Sequence, residues 1–116
     1  MTNVSIIHNP RCSKSRQTLA LLEEQGCDIT IIEYLKTPLS ATEISSIQAK
    51  LGVTPREMMR VKEEEYKQQN LADIDVTDGQ LIQAMVDTPK LIERPIVLAN
   101  NKAAIGRPPE NVLTIL

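Results

Sequence analysis

Val4-Ser5-Ile6-Ile7-His8-Asn9-Pro10-Arg11-Cys12-Ser13-Lys14-Ser15-Arg16 is the stretch whose reading decides the fold. Val4 to Ile7 is a short apolar run with β-branched residues, which predicts a strand. Arg16 to Gln25 then carries Leu19, Leu21 and Leu22, and Gly26 follows as a helix stop. Ile29 to Tyr34 reads as a second strand. The unit is βαβ, so its two strands should be parallel with a right-handed crossover. The strand-to-helix junction also carries chemistry, because it places one thiol, Cys12, among Arg11, Lys14 and Arg16. First-turn N–H groups and nearby cations both favour a thiolate, so Cys12 is expected to ionise below the ordinary thiol value. The same unpaired N–H groups attract anions. A nucleophile and an anion cradle therefore coincide.

Outward from that unit, the middle of the chain is marked by helix-start signals. Ser40-Ala41-Thr42-Glu43 is a capping box opening a helix that ends at Leu51-Gly52. Thr54-Pro55-Arg56-Glu57 combines an N-cap, a first-position proline and an acidic third residue. Thr77-Asp78-Gly79-Gln80 opens a further helix with Leu81, Ile82, Met85 and Val86, which stops before Pro89. The polar run Lys62 to Asn70 fits an exposed helix or a loop. Strands return at Pro95 to Ala99 and Lys102 to Ile105, joined by an Asn100-Asn101 turn. Arg107-Pro108-Pro109-Glu110 then starts a short terminal helix through Val112 and Leu116. The order βαβ, helices, ββα predicts an α/β protein with a small mixed sheet. Residues 1–116 form a single domain in this reading, with a helical insertion over about 40–90.

Composition narrows the function classes. With 116 residues, 41% hydrophobic and 24% charged, the chain can bury one core and has the balance of a soluble globular protein. Trp and Phe are absent and Tyr34 and Tyr66 are the only aromatics, so no base-stacking platform for nucleic acid is available. The net charge of −2 gives no general attraction for polyanions, so any anion site must be local. No apolar run reaches the roughly 18 residues of a membrane span, and the N-terminus does not read as a signal peptide. Cys12 and Cys27 are too few for a disulfide framework or a four-ligand zinc site, so no metal is expected. A lone activated thiol fits the cytoplasm, where it stays reduced.

A lone cysteine is most often a small buried hydrophobe. Against that stand the cations beside Cys12, the polar run from His8 to Arg16, and the helix-start position. Cys27 lies beyond the other end of the same helix, about 15–20 Å away at 1.5 Å per residue, whereas bridged Cα atoms lie within about 7 Å. Cys27 is therefore structural, and an oxidised Cys12 needs an external thiol. Ser15 stands where a Cys-x-x-Cys motif would have its second cysteine, which disfavours a dithiol oxidoreductase. A phosphatase-type loop fails too, since Thr18 stands where it needs arginine. His8, at the end of the first strand, either supports the thiolate as an imidazolium or is a strand-end histidine bonded to backbone. Arg60 is expected in a polar helix beside Lys62 and Glu63, whose acidic run reads as a solvated face. Arg94 and Arg107 are less ordinary, because each directly precedes a proline. Arg94-Pro95 is a candidate cis peptide.

His8-Asn9-Pro10-x-Cys12-x-x-Ser15-Arg16, Glu33-Tyr34-Leu35-Lys36-Thr37-Pro38, Arg94-Pro95-Ile96-Val97 and Gly106-Arg107-Pro108 together resemble the glutaredoxin-linked arsenate reductases of the ArsC type. The likeness covers essentially the whole chain. It implies a thioredoxin-like fold with a helical insertion, and reduction of arsenate to arsenite without a bound cofactor. It further implies that Cys12 attacks arsenate, that Arg60, Arg94 and Arg107 bind the oxyanion, and that His8 and Ser15 support the thiol. Glutathione would then attack the adduct, and glutaredoxin would reduce the resulting mixed disulfide, with the protein acting as a monomer. Ser13-Lys14 in place of a Gly-Thr pair, and an end at Leu116, resemble the shorter chromosomal-type branch. Two alternatives stay open. One is glutathione-dependent thiol–disulfide exchange on another substrate; the other is a partner-binding regulator resembling the Spx-like branch, against which Ser15 argues.

Overall fold

Strand β1 (Asn3–Ile7) buries Val4, Ile6 and Ile7 and sits inside a four-stranded sheet whose order is β2 (Asp28–Ile32), β1, β3 (Ile96–Ala99), β4 (Lys102–Ile105). Val4 and Ile6 share the face that joins the core with α1, and Ile7 on the opposite face is buried too, so the strand does not alternate between apolar and polar residues. The structure, a computed structural model, describes residues 2–116. Helix α1 (Ser13–Glu24) crosses from β1 to β2 (Asp28–Ile32), and the two strands are parallel, with Val4 opposite Ile29 and Ile6 opposite Ile31. Gly26 ends α1 in the left-handed conformation at φ 72, which the lack of a Cβ permits.

The expected second strand to Tyr34 is two residues too long. β1 stops at Ile7, so Ile32 is the last residue of β2 with a partner, and the His8 N–H donates to its carbonyl at 2.9 Å. Beyond it the chain turns, with the Lys36 and Thr37 N–H groups both bonded to Glu33 O at 3.0 Å. Tyr34 lies in that turn, fully buried.

Strand β3 (Ile96–Ala99) pairs antiparallel with β1, and β4 (Lys102–Ile105) pairs antiparallel with β3. Asn100 and Asn101 join β3 to β4 at φ 52 and 65, the left-handed pair that a two-residue hairpin turn requires and asparagine tolerates. The terminal segment, Pro109–Ile115, is a 3-10 helix. Val4, Ile6, Leu22, Val97, Ala99, Val112 and Ile115 form the wholly aliphatic core between sheet, α1 and this segment.

These elements make up one compact unit, residues 1–37 with 94–116, and residues 38–93 form a second. In the second, α2 (Ala41–Leu51) packs against the later helix α4 (Asp78–Asp87), burying Ile44, Ile47, Leu81 and Met85. Capping boxes are present at Ser40/Glu43, at Thr54/Glu57 and at Thr77/Gln80, so each expected helix start is closed by its own side chains. The Thr54 box opens a 3-10 turn, Pro55–Met58. A short helix α3 (Glu64–Gln68) lies in the polar run, and it buries Tyr66, whose hydroxyl pairs with Arg56. Arg60 is not helical as expected. It follows Met59, which bridges to Ile92, and its N–H donates to Leu91 O at 2.7 Å.

Candidate active site

Cys12 is the N-cap of α1, with extended backbone at φ −91 and ψ 124. Its N–H donates to Asn9 O at 3.0 Å, and its carbonyl accepts from Arg16 N at 3.0 Å. The loop is braced further by Arg11 N donating to Asn9 Oδ1 and by the Arg16 guanidinium donating to Pro10 O, both at 3.0 Å. A short Asx turn and an arginine clasp thus aim the residue before α1 begins. Arg16 is engaged with the loop backbone rather than with the sulfur, contrary to its expected role.

The cations that do meet the sulfur come from far along the chain. Arg107 Nη2 lies 3.6 Å from Cys12 Sγ, and Arg107 Nε donates to Arg94 O at 2.7 Å, tying the two arginine segments together. Both Arg94-Pro95 and Arg107-Pro108 are cis. Partial burial on its own raises the Cys12 pKa. The Ser15 N–H, the Arg94 guanidinium and the Lys14 N–H outweigh it, and the thiol is held below its ordinary value. Sγ thus faces the first-turn N–H groups of α1, the positive end of its dipole.

His8 is buried, with Nδ1 2.6 Å from Ser15 Oγ. Asn9 N donates to the same Oγ at 3.1 Å, so the hydroxyl joins the ring to the loop backbone. Burial lowers the His8 pKa; Glu33 works against that shift and Arg16 adds to it. The shift disfavours the imidazolium, and the partner at Nδ1 is the Ser15 hydroxyl. His8 is joined to Ser15, whose N–H stabilises the thiolate.

Cys12, Arg94 and Arg107 are brought together, and His8 and Ser15 form a pair behind α1's first turn. Arg60 belongs to the 38–93 unit, where its guanidinium pairs with Glu63 at 3.0 Å. Its expected role rests on the resemblance alone. Cys12 and Cys27 are both free. Among the described residues, no group of three or more His, Cys, Asp or Glu could hold a metal ion, and no helix is long and apolar enough to cross a membrane. Sequence reasoning missed the buried pair Thr18 and Gly106, which joins α1 to the Arg107 segment. Its only sequence signal is a threonine on the buried stripe Ser15, Thr18, Leu22 of α1.

A β1-α1-β2 unit extended by an antiparallel hairpin, with a free thiol at the helix start beside two arginines, defines a thioredoxin-like protein. The ArsC family model matches residues 7–115, and the chain belongs to the ArsC family. It is 51% identical to an arsenate reductase of Haemophilus influenzae, over 98% of this chain and 99% of that protein. It is 56% identical to an uncharacterized Escherichia coli protein, YfgD, over 97% and 96% of the two chains. The solved structure of an arsenate reductase from Vibrio cholerae superposes with a TM-score of 0.97 at 53% identity, covering 99% of this chain and 98% of that one.

Proposed function

We propose that the protein reduces arsenate to arsenite, with Cys12 as a single nucleophilic thiol and with glutathione and glutaredoxin supplying the electrons. The observation that carries this reading is the position of Cys12 Sγ at the start of α1, 3.6 Å from Arg107 Nη2 and under the influence of Arg94. A tetrahedral oxyanion drawn to the arginine fork and the first-turn N–H groups is brought to the sulfur that attacks it. The family membership and the arsenate reductases among its relatives point to the same substrate.

The Cys12 thiolate adds to arsenic(V), and one arsenate oxygen leaves, protonated, as water. The glutathione thiolate then attacks the Cys12 sulfur. A sulfur–sulfur bond forms, the sulfur–arsenic bond breaks, and its electron pair stays on arsenic, which departs as arsenite. Arsenic has gained two electrons and the two thiols have lost them as a mixed disulfide. A glutaredoxin thiolate attacks the glutathione sulfur and returns Cys12 as a thiolate. Arg94 and Arg107 balance the oxyanion's charge, and His8 holds Ser15 in place.

An outside thiol is required by position. Cys27 follows the far end of α1, whose 12 residues are about 18 Å long, against the roughly 7 Å that a disulfide allows between Cα atoms. Ser15 occupies the place of a vicinal cysteine. NADPH oxidation with arsenate, glutathione, glutathione reductase and glutaredoxin tests the reading. Turnover should depend on arsenate and vanish in Cys12→Ser. No arsenate-dependent turnover, or full turnover in that variant, sinks it. Turnover of a glutathionylated peptide without arsenate turnover would leave thiol–disulfide exchange in its place.

A further inference from the structure

Gly106 lies where three segments of the Cys12 site converge. Its N–H donates to Pro95 O at 2.9 Å, beside Arg94, and the next residue is Arg107. On its other side stands Thr18 of α1, fully buried, with its hydroxyl donating to Lys14 O at 2.8 Å. A Cβ on residue 106 would lie 2.6 Å from Thr18 Oγ1, 3.1 Å from Thr18 Cγ2 and 2.9 Å from Pro95 Cγ. Non-bonded carbon contacts are comfortable at about 3.5–4.0 Å, so such an atom cannot be housed without movement. A proline ring and a β-branched side chain on a helix are both stiff, which passes the movement to the backbone. The left-handed glycines of the chain are Gly26 and Gly52, so position 106 needs glycine for space rather than for φ.

We propose that Gly106 is a positioning residue: its missing side chain sets the distance between the Arg94–Arg107 pair and the helix end that carries Cys12. The inference rests on the reading of Cys12 as the nucleophile. Thr18 belongs to the same rigid helix as the first turn at Cys12, and Gly106 is bonded to Pro95 and joined to Arg107. The Arg107 Nε to Arg94 O bond couples the two arginine segments, so a displacement at 106 reaches both. A side chain there drives α1 and the arginine segments apart and lengthens the 3.6 Å Arg107–Sγ contact. Misplacement of charged groups by about 1 Å costs up to about 10²-fold in rate.

Gly106→Ala in the full chain is expected to lower kcat/KM for arsenate by about tenfold or more. Its Cys12 alkylation midpoint, followed with iodoacetamide by peptide mass spectrometry, should move up toward the ordinary thiol value. Adding Thr18→Ala removes the atoms facing the new methyl and should restore much of both losses. Gly79→Ala, whose Cβ meets only Thr77 Oγ1 at 4.0 Å, serves as a control that leaves both unchanged. A folded Gly106→Ala protein with the original midpoint and kcat/KM overturns the proposal, and so does a loss that Thr18→Ala fails to relieve. If Gly106→Ala does not fold, Thr18→Val and Thr18→Ala decide. Both lose the bond to Lys14 O, but valine keeps threonine's bulk against Gly106 and alanine does not, so valine should keep the parent midpoint and only alanine should shift it; equal midpoints overturn the proposal. Alkylation needs no arsenate, so failure of the arsenate reading leaves this test standing. A midpoint at the ordinary thiol value in the unmutated protein would instead remove the nucleophile reading itself.

Discussion

Helices α1 and α2 are nearly equal in length and are built on opposite rules. Helix α2 begins with Ser40 and Glu43 in a reciprocal cap, carries Lys50 in its last turn and closes on Gly52 at φ 70. Each choice suits the helix dipole and satisfies orphan backbone groups. Helix α1 has Cys12 and Ser15 at the corresponding places, no side-chain cap bond, no acid in its first turn and no base in its last. Lys14 and Arg16 stand at its positive end and Glu23 and Glu24 at its negative end, which the dipole disfavours. A helix that breaks several local rules at one end gives up stability there, and such lapses concentrate at functional sites. The first-turn N–H groups of α1 are left for the sulfur and for an anion.

The sharpest way to break this contrast is to make the start of α1 resemble that of α2. Cys12→Ser supplies an ordinary N-cap oxygen to the Ser15 N–H. The variant should lose arsenate turnover by at least about 10³-fold, since the nucleophile is gone. It should also unfold up to about 1 kcal/mol harder in urea. A Cys12→Ser protein no more stable than the parent would mean that the first turn is not short of a cap.

Arg107→Lys tests the cationic half of the site. Lysine keeps the charge but loses the fork that both donates to Arg94 O and faces Sγ. A fall of about 10–10²-fold in kcat/KM for arsenate is expected, with the Cys12 alkylation midpoint following it upward. Unchanged steady-state kinetics would place the oxyanion elsewhere.

Much of this was legible from local patterns. Each capping box is a pair three residues apart, so Ser40/Glu43 and Thr77/Gln80 announced their helices without tertiary information. The place of Cys12 at a helix start was readable for the same reason, since a strand, a turn and a helix start are all local. The end of β2 was not, because whether Tyr34 continues a strand depends on where β1 stops. The Ser15 partner of His8 was not readable either, since burial brings the two together. The resemblance implied Arg94 and Arg107 as oxyanion ligands, but that they lie beside Sγ was not readable, as both lie far along the chain from Cys12. The Thr18–Gly106 contact had no such help and escaped notice.

On the α2 side, Ser40→Ala removes a cap whose two bonds are each 3.1 Å. It should cost about 0.5–2 kcal/mol and lower the melting temperature by several degrees, while kcat/KM stays at the parent value. A thermal melt beside the coupled assay reads both. An activity loss exceeding the loss of folded protein would mean that α2 is more than scaffold.

Lys14→Glu should produce the smallest effect and divides stability from function most cleanly. The substitution puts a carboxylate in the first turn of α1, one position before the place Glu43 holds in α2, where the dipole favours it by about 0.3–1 kcal/mol. Glu110 lines the same groove as Lys14 and sets a limit on that gain through like-charge repulsion. The same carboxylate competes with arsenate for the N–H groups and repels it. The energy gained by the fold should reappear as weaker capture, a rise of about two- to fivefold in KM for arsenate with kcat little changed. A fall in kcat at constant KM would instead give Lys14 a part in the chemical step. A more stable protein with an unchanged KM would separate the anion site from the α1 N-terminus, and with it the reason α1 differs from α2.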